Sequence, residues 1–243
     1  MQIFADASLN DDKKIAGVGC VCVSSENENV TEQSSFFSAS SIHIAELFAL
    51  GYAVHFGLLS GKKSVRIVSD SAAALNKLHQ YMECVTAKER LNKKQHIFMA
   101  KLEKSPIQKD ILNRMVNTFM HSDIHFSFGY THGHQKGAAF GTDGYWNEKA
   151  DGAAAVGRIY GEHAKEKGFE RKIEDSCKAL CPIEAKEEVK NWEKNVQTFF
   201  VPYQPKKVKV KIEAHHKGRQ RDCDSYHVRI DGAVKMRVIF KSR

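Results

Sequence analysis

The 243-residue chain carries a net charge of +8 and a hydrophobic fraction of 42%, enough for an ordinary buried core in one good-sized domain with an appendage, or in two small domains. No apolar run approaches the ~20 residues of a membrane span, the first six residues lack the basic and apolar regions of a secretion signal, and six cysteines are too sparse for a disulfide framework, so a reducing, cytoplasmic setting with no membrane attachment is expected. Residues 205–243 hold twelve Lys or Arg against four Asp or Glu, while residues 1–204 hold 25 of each, so the whole net charge lies in the last 39 residues. Such a tail suits a polyanionic partner, with a solvated surface as the alternative.

Residues 2–7 read as a short buried strand, apolar at Ile3 and Phe4 and ending at Asp6. Residues 15–23 (IAGVGCVCV) are strongly β-like, with Cys20 and Cys22 alternating as small apolar fillers, and residues 34–38 form a third strand. Short polar links between the three predict an antiparallel meander. Asp6 fits either a site acid at a sheet edge or an ordinary turn residue. Residues 42–59 have helical spacing that turns Ile44, Leu47, Phe48 and Leu50 toward a core. Glu46 falls inside this apolar stretch, where a carboxylate needs a partner, an outward rotamer or a cation, whereas His43 and His55 read as helix-surface residues. Residues 64–68 (SVRIV) then lead through Ser69-Asp70-Ser71 into the helix AAALNKLH. Strand, acid, helix is the layout of a parallel crossover and sets Asp70 at a strand end beside Asp6, although these three residues also suit helix capping.

Residues 86–120 read as two helices broken near Ser105-Pro106. Residues 86–114 carry eight basic side chains, Lys93 and Lys94 among them, against three acidic ones, a surplus that an ordinary charged helix also shows. Residues 124–130 alternate as a last core strand, followed by a Gly-rich loop with His132 and His134 and by an Ala-rich helix expected to start at Asn147, with Asp151 one turn in. Asp143 reads as an auxiliary acid or as part of a Thr-Asp-Gly turn. Cys177 and Cys181 can share a helix face, but no second pair is spaced to complete a zinc site. Beyond Ala164 the chain is charged and helical, Pro202 and Pro205 bracket a linker, and Lys207, Lys209 and Lys211 alternate with apolar residues on a strand with one basic face. With Arg219 and Arg221, these lysines are the expected phosphate contacts of a small β appendage in which Asp231-Gly232 marks a hairpin. An extension of the sheet edge and a protein or oligomer contact are the other readings of the tail.

Asp6 in IFADAS, Glu46 in IHIAELFAL, Asp70 in IVSDSAAAL, His134 in GHQKG and Asp151 in NEKAD follow the order and local context of the type 1 ribonuclease H family. The chain resembles that family over roughly its first two-thirds, on five motifs in sequence. The resemblance implies an α/β, RNase H-like five-stranded mixed sheet, three antiparallel strands followed by parallel ones, flanked by helices. This catalytic domain would occupy residues 1–165, with a helical connector over 166–204 and a basic β-rich extension over 205–243. It further implies that Asp6, Glu46, Asp70 and Asp151 bind two Mg²⁺ or Mn²⁺ ions, Asp6 and Asp70 nearest both, and that His134, with His132 as backup, assists proton transfer at the leaving group. The implied reaction is metal-dependent endonucleolytic cleavage of the RNA strand of an RNA/DNA hybrid, leaving a 5′-phosphate and a 3′-hydroxyl. Lys93 and Lys94 fall in the segment that forms a basic protrusion in some family members. Ala7 stands where many members have Gly, residues 41–45 lack the Asn of bacterial-type members, as in AEL-type retroelement domains, and AAFGTDGYW lengthens the stretch between His134 and Asp151. The alternatives are a same-fold nuclease acting on DNA or structured nucleic acid, disfavoured by His134 and the AEL and NEKAD contexts, and a catalytically silent nucleic-acid-binding assembly protein, disfavoured by the complete acid set.

Overall fold

The run IAGVGCVCV becomes β2 (Ile15–Val23), buried at every position and therefore covered on both faces. The computed structural model describes residues 1–24, 30–87, 90–135 and 137–180, together with the backbone of 225–230 and 233–240. In it β2 pairs antiparallel with β1 (Gln2–Asn10) and with β3 (Val30–Ser38). β4 (Ser64–Ser69) lies parallel to β1, and β5 (His125–Tyr130) parallel to β4. The order β3-β2-β1-β4-β5 is the five-stranded mixed sheet expected from the sequence.

The parallel pairs need crossover connections, and helices supply them. α1 (Ile42–Leu59) links β3 to β4, while α2 (Ala72–Ala87), α3 (Lys93–Glu103) and α4 (Pro106–His121) lie between β4 and β5. These four contribute to the main core with Ile3, Val18, Cys20, Phe37, Val65, Ile67 and Phe128 from the sheet. By length and composition α1 is apolar enough to cross a membrane, but Leu47, Phe48 and Leu50 pack into this core, the role of a central helix in a folded domain. Cys20 and Cys22 are buried thiols, as their alternation predicts.

The opposite face of the sheet is covered by α5 (Asp143–Glu166). Phe4, Val21, Val23 and Val68 pack there against Trp146 and Ala150. Between them Gly17 and Gly19 clear a path for the helix backbone: a Cβ on Gly17 would lie 2.1 Å from the Ala154 carbonyl oxygen, and one on Gly19 would lie 2.3 Å from that of Ala150. The IAGVG pattern is thus a groove cut to seat a helix at backbone distance.

Several boundaries differ from the sequence expectation. β1 continues through Asp6 to Asn10, because β2 offers pairing partners along its whole length. Asp6 is therefore half-buried within a strand and not at a strand end. α5 begins at Asp143, one turn before Asn147, because Thr142 caps it by accepting from the Tyr145 N–H. After Ala164, Gly168, at φ +81°, turns the chain out of α5, and α6 (Ile173–Ala179) packs Ile173 and Cys177 into the main core, while residues 181–204 of the expected helical connector lie outside the described residues. The 86–120 region breaks at Ser105, with Pro106 opening α4. At the far edge the backbone of β7 (Ala233–Phe240) runs parallel to β5 and pairs antiparallel with β6 (Ser225–Ile230), so these strands extend the sheet. Lys207, Lys209, Lys211, Arg219, Arg221, Cys181, Pro202, Pro205 and Asp231-Gly232 lie outside the described residues.

Candidate active site

Two strands and two helices bring the predicted acids together. The last aligned pair between β1 and β4 is Phe4 and Val68, and two residues further along each chain stand Asp6 and Asp70. Because Phe4 faces α5, the alternation of strand residues carries Asp6 to that face too, and Asp70, one residue past the end of β4, meets Asn147 of α5. Asp151 follows Trp146 and Ala150 on α5, and Glu46 enters from the first turns of α1.

Each carboxylate has a local hold. Asp6 Oδ1 accepts from the Ala7 N–H at 2.7 Å. The Ser71 hydroxyl donates to Glu46 Oε2 at 2.8 Å while accepting from the Ala74 N–H at 3.2 Å, so Ser71 takes the capping role at the start of α2. Asn147 Nδ2 donates to Asp70 Oδ2 at 3.3 Å. Asn147 is 1% exposed, and its Oδ1 is buried with no hydrogen-bond partner. Gly133 closes over the same carboxylate: a Cβ there would stand 2.3 Å from Asp70 Oδ2.

Electrostatics confirm the crowding. Burial first, then the Asp70 carboxylate, push the Asp6 carboxyl up to about 8; the Ala7 N–H pulls it down, and Asp151 and Glu46 push it further up. Burial also raises Asp70, with Glu46 adding to the rise, while the Asn147 bond and its own backbone N–H pull it down and His134 opposes the rise. Among the described residues, the ion-pair partners of the four acids are histidines: His43 Nδ1 lies 3.5 Å from Glu46 Oε2, and His134 Nδ1 lies 3.8 Å from Asp151 Oδ2. No group of three or more His, Cys, Asp or Glu side chains among the described residues has the arrangement of a finished metal site.

A family model for RNase H matches residues 1–159. The chain belongs to the RNase H family. This RNase H is accordingly a ribonuclease H-type endonuclease. No curated protein matches it. Among solved structures, RNase H1 of the halophilic archaeon Halobacterium salinarum NRC-1 aligns at 18% identity over 64% of this chain and 95% of its own, with a TM-score of 0.42. LC11-RNase H1, isolated from compost by a metagenomic approach, aligns at 16% identity over 65% of this chain and 95% of its own, with a TM-score of 0.46. A foamy viral protease-reverse transcriptase in complex with RNA/DNA hybrid aligns at 17% identity over 65% of this chain and 20% of its own, with a TM-score of 0.45.

The remaining sequence candidates in this RNase H divide clearly. The His134 side chain is 81% exposed, and its backbone is left-handed at φ +53°, a conformation uncommon outside glycine. The His132 ring packs edge-on against Tyr130 with centroids 5.4 Å apart. Lys93 and Lys94 are exposed in the first turn of α3, after an Asn92–Gln95 capping box. Asp143 does not join the acid cluster: both of its oxygens accept from Arg66. Asn147, Ser71 and Gly133 escaped the sequence reading as site residues. The first two carried usable signals, since Asn147 precedes Asp151 by one helical turn and Ser71 adjoins Asp70.

Proposed function

We propose that this RNase H cleaves the RNA strand of RNA/DNA hybrids with divalent-metal assistance, leaving 5′-phosphate and 3′-hydroxyl ends. The observation that carries the reading is the convergence of four carboxylates in which Asp6 is pushed up to about 8. With only histidines as ion-pair partners among the described residues, this cluster repels itself and favours cations taken from solution. Its all-oxygen character suits Mg²⁺ or Mn²⁺, which Asp6, Asp70, Glu46 and Asp151 would hold. When bound, two such ions supply an activated water for attack, neutralise the phosphate and support the departing oxygen.

The chain's own residues then have separate tasks. Asn147 fixes one oxygen of Asp70, and Ser71 fixes one oxygen of Glu46, so the cluster meets the phosphate with its carboxylates already oriented. His134 stands beside Asp151 and open to solvent, a position from which an imidazole delivers a proton to the leaving 3′-oxygen and recovers one from water. Lys93 and Lys94 oppose the dipole of α3, so helix stability does not explain their place, whereas a grip on the phosphate backbone does. The basic residues of 205–243 would add sequence-independent affinity.

End-labelled hybrid, duplex DNA, duplex RNA and single strands, incubated with Mg²⁺ or Mn²⁺, test the proposal. Hybrid cleavage abolished by Asp70→Asn is expected. Robust cutting of duplex DNA with the hybrid untouched rejects it.

A further inference from the structure

The ion pair between Arg66 and Asp143 lies outside the acid cluster, yet its geometry is that of a built joint. Arg66 Nη1 and Nη2 donate to Asp143 Oδ1 and Oδ2 at 2.9 and 2.7 Å, a fork on a carboxylate, and Nη1 also reaches Gln2 Oε1 at 3.2 Å. Both side chains are about three-quarters buried, at 25% and 28% exposure. β4 turns Arg66 to the α5 face, two residues before Val68, and Gly129 on β5 leaves the bed in which it lies: a Cβ there would come within 3.1 Å of Nη2. A charge in the inner layer of a sheet, bedded on a glycine and matched bidentately, is more than surface decoration.

Asp143, Asn147 and Asp151 recur every four residues, one stripe along α5. The first rung is tied to β4 by Arg66, the second to Asp70 by its amide, and the third reaches the acid cluster, where Asp151 acts on Asp6. The far half of α5 is seated differently. Gly17 and Gly157 bring backbones together, a Cβ on Gly157 falling 2.4 Å from the Ser35 carbonyl oxygen, and Lys13 binds Glu162 and Glu166. At the end that carries the site residues, a loop with left-handed turns at Gly137 and Gly141 leads into the helix, and the Arg66–Asp143 joint meets it at its first residue.

We propose that Arg66 and Asp143 are positioning residues for catalysis: the pair sets the azimuth and depth of the first turns of α5 and so holds Asn147 on Asp70, ahead of the Gly19 contact that seats Ala150 next to Asp151. Neither residue touches the reacting atoms. The inference rests on the ribonuclease reading above for its kinetic consequence, and on geometry alone for its structural one.

The test uses the full chain, with Arg66→Gln, Asp143→Asn, the double variant and Arg66→Lys, at a temperature where circular dichroism shows all of them folded. On labelled hybrid with Mg²⁺, each single substitution lowers kcat about tenfold and leaves KM within about twofold, because orientation and not substrate affinity is lost. The double variant falls no further than either single one, and Arg66→Lys, which keeps a cation on Asp143, retains an intermediate rate. Unchanged kcat, additive losses, or a loss confined to KM overturns the proposal. Hydrogen exchange supplies the readout independent of turnover: amides of 147–149, ahead of the Gly19 contact at Ala150, exchange faster in Asp143→Asn while those of α1 do not change. Equal exchange overturns the joint whatever the substrate, whereas faster exchange in a chain whose wild type leaves the hybrid intact upholds the joint and overturns the hybrid assignment.

Discussion

Neutralising Asp6 should stabilise the metal-free protein at alkaline pH while destroying its activity. The folded state holds the Asp6 proton up to about pH 8, whereas an unfolded chain releases it near 3.8. Between these values the native state binds more protons than the unfolded one, so the stability tied to this group is complete below pH 4 and is lost as pH rises toward 8. At about 1.4 kcal/mol per pKa unit, the interval corresponds to a ceiling of roughly 6 kcal/mol. Side-chain relaxation and ionic screening at a site that is not fully enclosed take up about half, leaving about 3 kcal/mol, or roughly 6–12 °C of Tm for a domain of this size. The assay is thermal unfolding in EDTA from pH 5 to 8.5, for wild type and Asp6→Asn, followed by Mg²⁺ titration at pH 8. Wild type should lose Tm with rising pH, the variant, which keeps only the raised Asp70, should lose clearly less, and added Mg²⁺ should raise wild type more than the variant. A wild-type stability that is flat or rising between pH 5 and 8 without metal would refute the electrostatic argument.

Three further outcomes follow from the same contacts. Gly133→Ala places a Cβ at 2.3 Å from Asp70 Oδ2, so the carboxylate must swing away; hybrid cleavage should fall at least tenfold in kcat with little change in Tm. Gly19→Ala meets backbone at 2.3 Å, at the Ala150 carbonyl, and at 2.4 Å, at the Ala154 nitrogen, with no side chain to yield; α5 must lift, costing about 3 kcal/mol in urea unfolding together with activity. Lys93→Gln with Lys94→Gln should raise KM for hybrid and flatten the slope of log KM against log salt by about 1–2, leaving kcat unchanged, as befits phosphate contacts remote from the chemistry.

Most of the sheet was legible because its strands announce themselves by alternation and by short links; Asp6, Glu46 and Asp70 stood out because each follows or interrupts an apolar run, whereas Asp151, after Asn-Glu-Lys-Ala, and the order of the set came from the resemblance to the RNase H family. What the sequence could not carry was anything set by pairing partners. The true length of β1 depends on β2 running beside it to Asn10. The start of α5 was masked by Gly144 and by Thr142-Asp143, which have the composition of a turn, and only the Thr142 cap makes them a helix. Asp143 could be an acid for a site or for a turn until Arg66, 77 residues away in sequence, selects a third role. Asn147 and Ser71 were read for their local helix roles, and their service to Asp70 and Glu46 needs coordinates. The convergence of the acids is visible in the coupling of Asp6 to the other three, a fact that order along the chain can suggest but not contain.

The glycine seam between β2 and α5 limits how this enzyme can adapt. Helices separated from a sheet by ordinary side chains can roll or slide by letting those side chains change rotamer, but here Gly17 and Gly19 meet peptide groups that have no rotamers. From Ala150 onward α5, with Asp151, is therefore mounted on something close to a rigid rail, and only the turns before it, where Asn147 meets Asp70, are left to the Arg66–Asp143 joint. Any adjustment at the acid cluster must come from the loop that carries His134 or from the α1 end that carries Glu46.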